Sequence, residues 1–230
     1  FKRRGKRKLM HENTPLPILY SLRNCPFAMR ARMAIYQSQL PVLLRDIVLR
    51  DKPAKMLTIS PKGTVPVLVT SNGKVIEESL EVMLWALSES DPDDLLLASA
   101  PEMLVNMLAL IHQFDREFKP CLEAYRAAKR YHEPNLVECR QACEQYLSKL
   151  ENRLTRHSYL MADQESLADL ALLPFIRQFA RVERQWYLQS PYPKLRQWLD
   201  RYLQCKMFSK IMTKHELWLV NRHEVLLRSF

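Results

Sequence analysis

The chain has 230 residues, 47% of them apolar, with only 3 glycines against 14 prolines and a formal net charge of +10. That length suits one large domain or two modest ones, and the apolar share is enough to build a real core. Apolar runs such as 167–176 fall far short of the ~20 residues a membrane-spanning helix needs, and no apolar stretch follows the basic start as in a secretory signal. No membrane partner and a cytoplasmic location are therefore expected.

The charge is unevenly placed. Lys2, Arg3, Arg4, Lys6, Arg7 and Lys8 supply six positive charges before Leu9, leaving +4 for the rest. Residues 1–15 read as a basic tail, disordered or partly vector-derived, with Met10 as a candidate native start. No basic face interleaved with aromatics follows, so no nucleic-acid partner is expected. The five cysteines, Cys25, Cys121, Cys139, Cys143 and Cys205, are odd in number and scattered. They do not form a disulfide framework, and a reducing compartment is the default. Cys139 and Cys143 lie four apart on a predicted helix, but no second ligand pair accompanies them, so no metal is expected.

The first ninety residues alternate strand and helix signals. Residues 18–21 are a short apolar run after two prolines and read as a strand. Residues 26–37 carry Phe27, Arg30, Ala31, Met33 and Ala34 at helical spacing. Residues 42–48 are mostly apolar with β-branched members, again a strand. Residues 53–59 read as a short helix with Pro at its permitted first turn. Residues 65–69 and 74–76 flank Ser71-Asn72-Gly73, a hairpin signal. Residues 79–87 return to helical spacing. A βαβ unit implies a parallel strand pair with a right-handed crossover.

Residues 88–94 are polar and contain a proline, which reads as a linker. Beyond it every periodic segment is helical. Met103, Met107, Leu110, Ile111 and Phe114 form one stripe. Helices are predicted over 139–154, 167–182, 195–203 and 209–220, with 167–182 apolar enough to be the buried centre. The predicted boundaries are 16–90, a linker at 91–96, and an all-helical segment at 97–230.

Three local features carry chemistry. Cys25 lies between a strand and a helix, with Pro26 at the first helical position. Free backbone N–H groups and the positive dipole end favour thiolate there, and Arg23 and Arg30 are close in sequence. Ala28 stands where a second Cys would permit an internal disulfide, so the reactive partner of Cys25 is an external thiol. Second, Pro66 in Gly63-Thr64-Val65-Pro66-Val67 precedes a strand. A cis bond there would leave the Val65 backbone free to pair with an extended peptide-like ligand. Third, Glu78-Ser79 precedes a helix, with Ser79 as the expected N-cap. A carboxylate suits such a helix start, and Glu78 suits an ammonium.

In this order the three features resemble the thioredoxin-like half of cytosolic glutathione S-transferases. The matching words are Leu19-Tyr20-Ser21, Cys25-Pro26-Phe27 with Arg30, Thr64-Val65-Pro66-Val67-Leu68 and Ile76-Glu77-Glu78-Ser79. Cys-Pro-Phe followed by Arg is similar to the omega class, as is Leu49-Arg50-Asp51-Lys52-Pro53. Ser166-Leu167-Ala168-Asp169 resembles the family's N-capping box, which makes Ser166 and Asp169 structural. Glu165 departs from it, because a hydrophobic staple residue is expected there.

The resemblance implies an α/β thioredoxin-like N-terminal domain followed by an all-α helical bundle, assembled as a homodimer. It implies glutathione as cosubstrate, held by Phe27, Leu49, Lys52, Val65, Pro66, Glu78 and Ser79, with Cys25 catalytic. A small hydrophobic or disulfide second substrate is expected near Phe114, Phe118, Phe175 and Trp186. The activity implied is glutathione-dependent thiol transfer through a Cys25–glutathione mixed disulfide. The alternatives are conjugation of glutathione to electrophiles, for which Tyr20 and Ser21 supply the nearby hydroxyls, and a non-catalytic regulatory role on the same fold.

Overall fold

The computed structural model describes residues 15–227, so the basic tail lies almost wholly outside the described residues. After Pro15 and Pro17 the chain enters β1 (Ile18–Ser21), turns, and starts α1 (Pro26–Ser38). Pro26 is at the first helical turn, and Cys25 is the N-cap with extended backbone (φ −78°, ψ 124°). The helix ends where Gln39 adopts the left-handed conformation at φ 61°. Next come β2 (Val42–Asp46), α2 (Ala54–Ile59), β3 (Val67–Val69), β4 (Val75–Ile76) and α3 (Ser79–Glu89).

β1 and β2 pair in parallel, as the βαβ reading requires, while β3 and β4 form an antiparallel hairpin beside β1. Asn72 Oδ1 accepts the Thr70 hydroxyl at 2.5 Å, and Gly73 takes the turn's positive φ of 84°. The helix α1 lies on the sheet and is buried along nearly its whole length, sandwiched between the sheet, α3 and the helical half.

The helical half runs through α4 (Pro101–Gln113), a π-helical turn (Phe114–Phe118), α5 (Lys119–Tyr131), α6 (Leu136–Leu154), α7 (Leu167–Ala180), α8 (Arg184–Gln189) and α9 (Pro193–Gln204). α7 is the buried centre: every residue in it except Arg177 and Gln178 is buried. Its start is a capping box in which Ser166 and Asp169 satisfy each other's end of the helix. Asp169 also accepts from Leu160 N at 3.0 Å and from Trp198 Nε1 at 2.9 Å, tying three segments to one carboxylate. Burial raises the pKa of that carboxyl above the usual range. In place of a staple, Glu165 accepts the Tyr202 hydroxyl at 2.6 Å and the Gln37 amide at 3.4 Å.

The segment read as a linker joins α3 to α4 without helix or strand, and it is tightly folded. Asp91 accepts from Leu95 N and Leu96 N at 2.9 and 2.8 Å, Leu95 is fully buried, and its carbonyl accepts from Leu167 N. Two expectations need correction. Residues 209–220 are not one helix: α10 (Lys206–Ile211) stops, an extended stretch follows, and α11 (Trp218–Asn221) is a single turn. The C-terminal segment is not all-helical either. β5 (Val225–Leu227) returns to pair antiparallel with β2, completing the sheet order β4-β3-β1-β2-β5. Covering the exposed edge of β2 satisfies its free backbone groups.

Candidate active site

Cys25 is placed by two local constraints. β1 ends at Ser21, and Cys25 N donates to Leu22 O at 3.0 Å, closing the turn. Its own carbonyl then accepts the first helical bond, from Met29 N at 2.9 Å. The half-buried sulfur therefore sits at the open end of α1, where the first backbone N–H groups have no helical partner. Cys25 Sγ lies 3.9 Å from Val65 O. The peptide between Val65 and Pro66 is cis, as the sequence led one to expect. Residues 25 and 65–66, far apart in sequence, are thus brought together at the end of the sheet.

The loop leading to Val65 is pinned on both sides. Ser60 Oγ donates to Glu77 Oε1 at 2.5 Å, and the exposed Lys62 pairs with Glu78 at 2.7 Å. Gly63 holds φ 62°, a left-handed geometry natural to glycine. The Lys52 side chain lies directly over Gly63: a Cβ at that residue would stand 2.8 Å from Lys52 Nζ. Lys52, Gly63, Lys62 and Glu78 therefore form one connected strip running from the α2 loop to the start of α3. Leu49 is half exposed, on the rim. Glu78, not Ser79, is the N-cap of α3; Ser79 is its first helical residue and is buried.

The positive charges near Cys25 in sequence are not near it in role. Arg30 is 1% exposed and points into the boundary between the two halves. It donates twice to Asp115, at 2.9 and 2.6 Å, and once to Ala171 O at 2.7 Å. Arg23 reaches Met212 O at 3.5 Å. Arg32, which the sequence reading passed over, is fully buried; it bonds Ser21 Oγ and Ile211 O and pairs with Asp46. Burial raises the Asp46 carboxyl and lowers the Arg32 guanidinium, Arg32 partly offsetting the first. Arg32 staples β1, β2 and α10 around the base of the site.

The aromatic residues expected to form a second-substrate pocket do something else. Phe114 and Phe118 are 1% and 0% exposed and stack on Tyr146 in the helical core. Phe175 is 3% exposed and meets Phe27 edge-to-face at 5.2 Å, sealing the boundary between the halves. Trp186 packs against Phe179 and under the Arg140 guanidinium at 4.4 Å. None of the four lines the open cleft beside Cys25. That cleft, of about 660 Å³, is bounded by Asn24 and Pro26 on one side and by α5 and α7 on the other. Sequence alone gave no signal for it, because its walls come from helices about fifty residues apart.

All five cysteines are free. Burial holds the Cys143 thiol far above its ordinary pKa and pushes Cys121 up as well, which leaves both poor nucleophiles. Among the described residues no group of three or more His, Cys, Asp or Glu is arranged to hold a metal, and no helix is long and apolar enough to cross a membrane.

Residues 19–93 match the family model for the glutathione S-transferase N-terminal domain, and 109–201 match that for its C-terminal domain. The chain belongs to the glutathione S-transferase family. Glutathione S-transferase omega-1 of Mus musculus is 29% identical over 183 residues, 79% of this chain and 74% of that protein. Pyrimidodiazepine synthase of Drosophila melanogaster is 30% identical over 191 residues, 80% and 75% respectively. A transferase-family structure from Pseudomonas fluorescens, solved with two glutathiones bound, superposes with a TM-score of 0.74. That match covers 87% of this chain and 94% of that one at 15% identity, and so speaks for the fold. The family membership makes this transferase an enzyme, and the similarity to omega-class members agrees with the Cys-Pro-Phe wording at residues 25–27.

Proposed function

We propose that this enzyme is a glutathione-dependent thiol transferase in which Cys25 is the nucleophile. The observation that carries the reading is the half-buried Cys25 sulfur at the open N-terminus of α1, with Ala28 in place of a resolving cysteine. A thiolate at Cys25 attacks the glutathione sulfur of a mixed disulfide. The disulfide bond breaks, a Cys25–glutathione bond forms, and the other sulfur leaves as a thiolate that takes up a proton. A second glutathione thiolate then attacks this intermediate, releasing oxidised glutathione and restoring Cys25. The net exchange consumes one glutathione and one mixed disulfide and yields oxidised glutathione and one free thiol.

In this reading glutathione lies along residues 16–90. Its γ-glutamyl end meets Glu78 and Ser79, its backbone pairs with Val65 beside Pro66, and Lys52 and Leu49 flank it. Phe27 shapes the floor from the domain boundary. The resemblance to cytosolic glutathione S-transferases supports a cytoplasmic homodimer, for which light scattering at micromolar concentration is the test.

The deciding experiment compares Cys25→Ser with a variant in which Cys121, Cys139, Cys143 and Cys205 are all Ser. Disulfide-reductase activity is expected to vanish in the first, with glutathione binding retained, and to persist in the second. Full activity in Cys25→Ser, or none in a folded four-cysteine variant, overturns the assignment. Conjugating activity that survives in Cys25→Ser while thiol transfer is absent from the parent points instead to the conjugating alternative.

A further inference from the structure

The cleft beside Cys25 has a charge pattern that the thiol-transfer chemistry does not require. Asn24 and Pro26, the residues on either side of Cys25 in the chain, form one wall together with Met29. The opposite wall presents Arg126, Lys129 and Arg130 from α5 and Arg177 and Arg181 from α7 and its end. Glu123 is the one acidic residue there, and its carboxylate is already 3.6 Å from Lys119.

Most of these cations have no counter-charge. Lys129 pairs loosely with Glu183 at 3.7 Å. Among the described residues, Arg126, Arg130, Arg177 and Arg181 have no carboxylate within 4.0 Å; Arg130 and Arg177 only stack on Tyr131 and Phe208. Arg126 and Arg130 are four apart on one helix, and Arg177 and Arg181 are four apart on the other, spacings at which like charges repel. Arg177 registers this: its guanidinium is lowered first by burial and then by the Arg181 charge. α7 otherwise buries all its residues but Arg177 and Gln178, so the one break in its apolar surface is the face turned to the cleft. Guanidinium forks match carboxylates and similar oxyanions, and four of them without a carboxylate partner face this one concavity.

We infer that the second substrate of this enzyme is a small polyanion: a disulfide whose leaving thiol carries two or more carboxylates, or oxyanions of like charge, gripped by Arg126 and Arg130 on one side and Arg177 and Arg181 on the other. This rests on the thiol-transfer reading and narrows it. A volume of about 660 Å³ suits a small molecule. The arginines also stabilise the leaving thiolate's carboxylates as it departs toward α5 and α7, while the glutathionyl half stays on the thioredoxin-like domain.

The test uses three mixed disulfides of glutathione, made with mercaptosuccinate, 2-mercaptoethanol and cysteamine. The anionic probe is expected to exceed the neutral one in kcat/KM by about tenfold at low salt, with the cationic probe slowest and the spread shrinking in 0.3 M salt. Arg177→Gln with Arg181→Gln, or Arg126→Gln with Arg130→Gln, should bring the anionic-to-neutral ratio close to one. The matching Lys pairs, which keep the charge, should retain most of it. A second arm needs no turnover: Cys25→Ser protein is titrated with propane-1,2,3-tricarboxylate by calorimetry, with and without all four Gln substitutions. Equal rates on the three probes with no saturable tricarboxylate binding overturn the inference and leave thiol transfer standing. Saturable binding that the four substitutions abolish, with no transfer on any probe, keeps the anion site and overturns the thiol-transfer reading. Failure of both arms removes both.

Discussion

Arg30 on α1 and Asp115 in the π-helical turn meet across the boundary between the sheet half and the helical half, two guanidinium nitrogens on two carboxylate oxygens at 2.9 and 2.6 Å. The third arm of Arg30 takes Ala171 O, one residue past Leu170, whose carbonyl gets no donor from Pro174. A π turn inserts one residue into a helix and re-aims its side chains. Here it aims Asp115 at α1, and the same helix carries Phe114 and Phe118 into the core. Phe27 and Phe175 close over the pair. The helix that starts at Cys25 is thereby fixed against the elements that bound the cleft.

Breaking that pair should cost more than its surface appearance suggests. Asp115→Asn leaves a guanidinium that is 1% exposed without its charge partner. A loss of about 3 kcal/mol in urea unfolding is expected, since stranding one member of a buried pair is far worse than removing both. Arg30→Met combined with Asp115→Leu should recover much of it. A loss below about 0.5 kcal/mol in Asp115→Asn would show that the halves are held by apolar contact alone.

The capping box separates two magnitudes. Ser166→Ala removes one cap and should cost about 1 kcal/mol. Asp169→Ala removes an acceptor shared by Ser166, Leu160 and Trp198 and leaves buried donors unpaired, so a loss of 3 kcal/mol or more is expected. Equal costs for the two substitutions would show that Asp169 does no more than cap the helix. Thermal unfolding of both variants at one pH settles the ranking.

Glu183 sets a pH dependence of definite sign. Burial pushes its carboxyl up, but bonds from Tyr125 at 2.7 Å and Arg140 at 2.8 Å outweigh it, and its pKa falls below the ordinary 4.5. A depressed acid stabilises the fold above its unfolded pKa, and the benefit fades as pH drops through the folded value. Glu183→Gln should therefore lower stability by a constant amount between pH 5 and 7, with the gap closing below pH 4.5. A gap that widens with acid would reverse the assignment.

How much of this was legible in the sequence depends on how local each signal is. Cys25-Pro26 and Val65-Pro66 are readable because backbone rules tie each residue to its immediate neighbours. The capping box at 166–169 is readable for the same reason. Phe114 and Phe118 show the limit of an aromatic stripe as a signal, which looks the same whether it lines a pocket or fills a core. β5 is three residues long, and its partner β2 lies about 180 residues away, so nothing local marks it as a strand. The cleft arginines belong to two helices that only the fold brings face to face, and Arg30, five residues from Cys25 in the chain, has its partner in Asp115, far away in sequence.

Gly63 offers a test that separates strain from binding. Gly63 and Gly73 both hold positive φ, at 62° and 84°, so an Ala at either should cost about 1–2 kcal/mol through the left-handed backbone. Their surroundings differ. A Cβ at Gly73 meets nothing within 4 Å, whereas at Gly63 it stands 2.8 Å from Lys52 Nζ and 3.2 Å from Leu57 Cδ2. Lys52 is flexible enough to swing away, and that displacement moves an ammonium off the strip proposed to hold glutathione. Gly63→Ala should therefore raise the KM for glutathione by about five- to tenfold, while Gly73→Ala lowers stability and leaves that KM unchanged. Lys52→Met should reproduce the KM effect without the stability loss. If Gly63→Ala and Gly73→Ala raise KM equally, the effect is loosening of the whole hairpin region, and Lys52 has no place in the glutathione site.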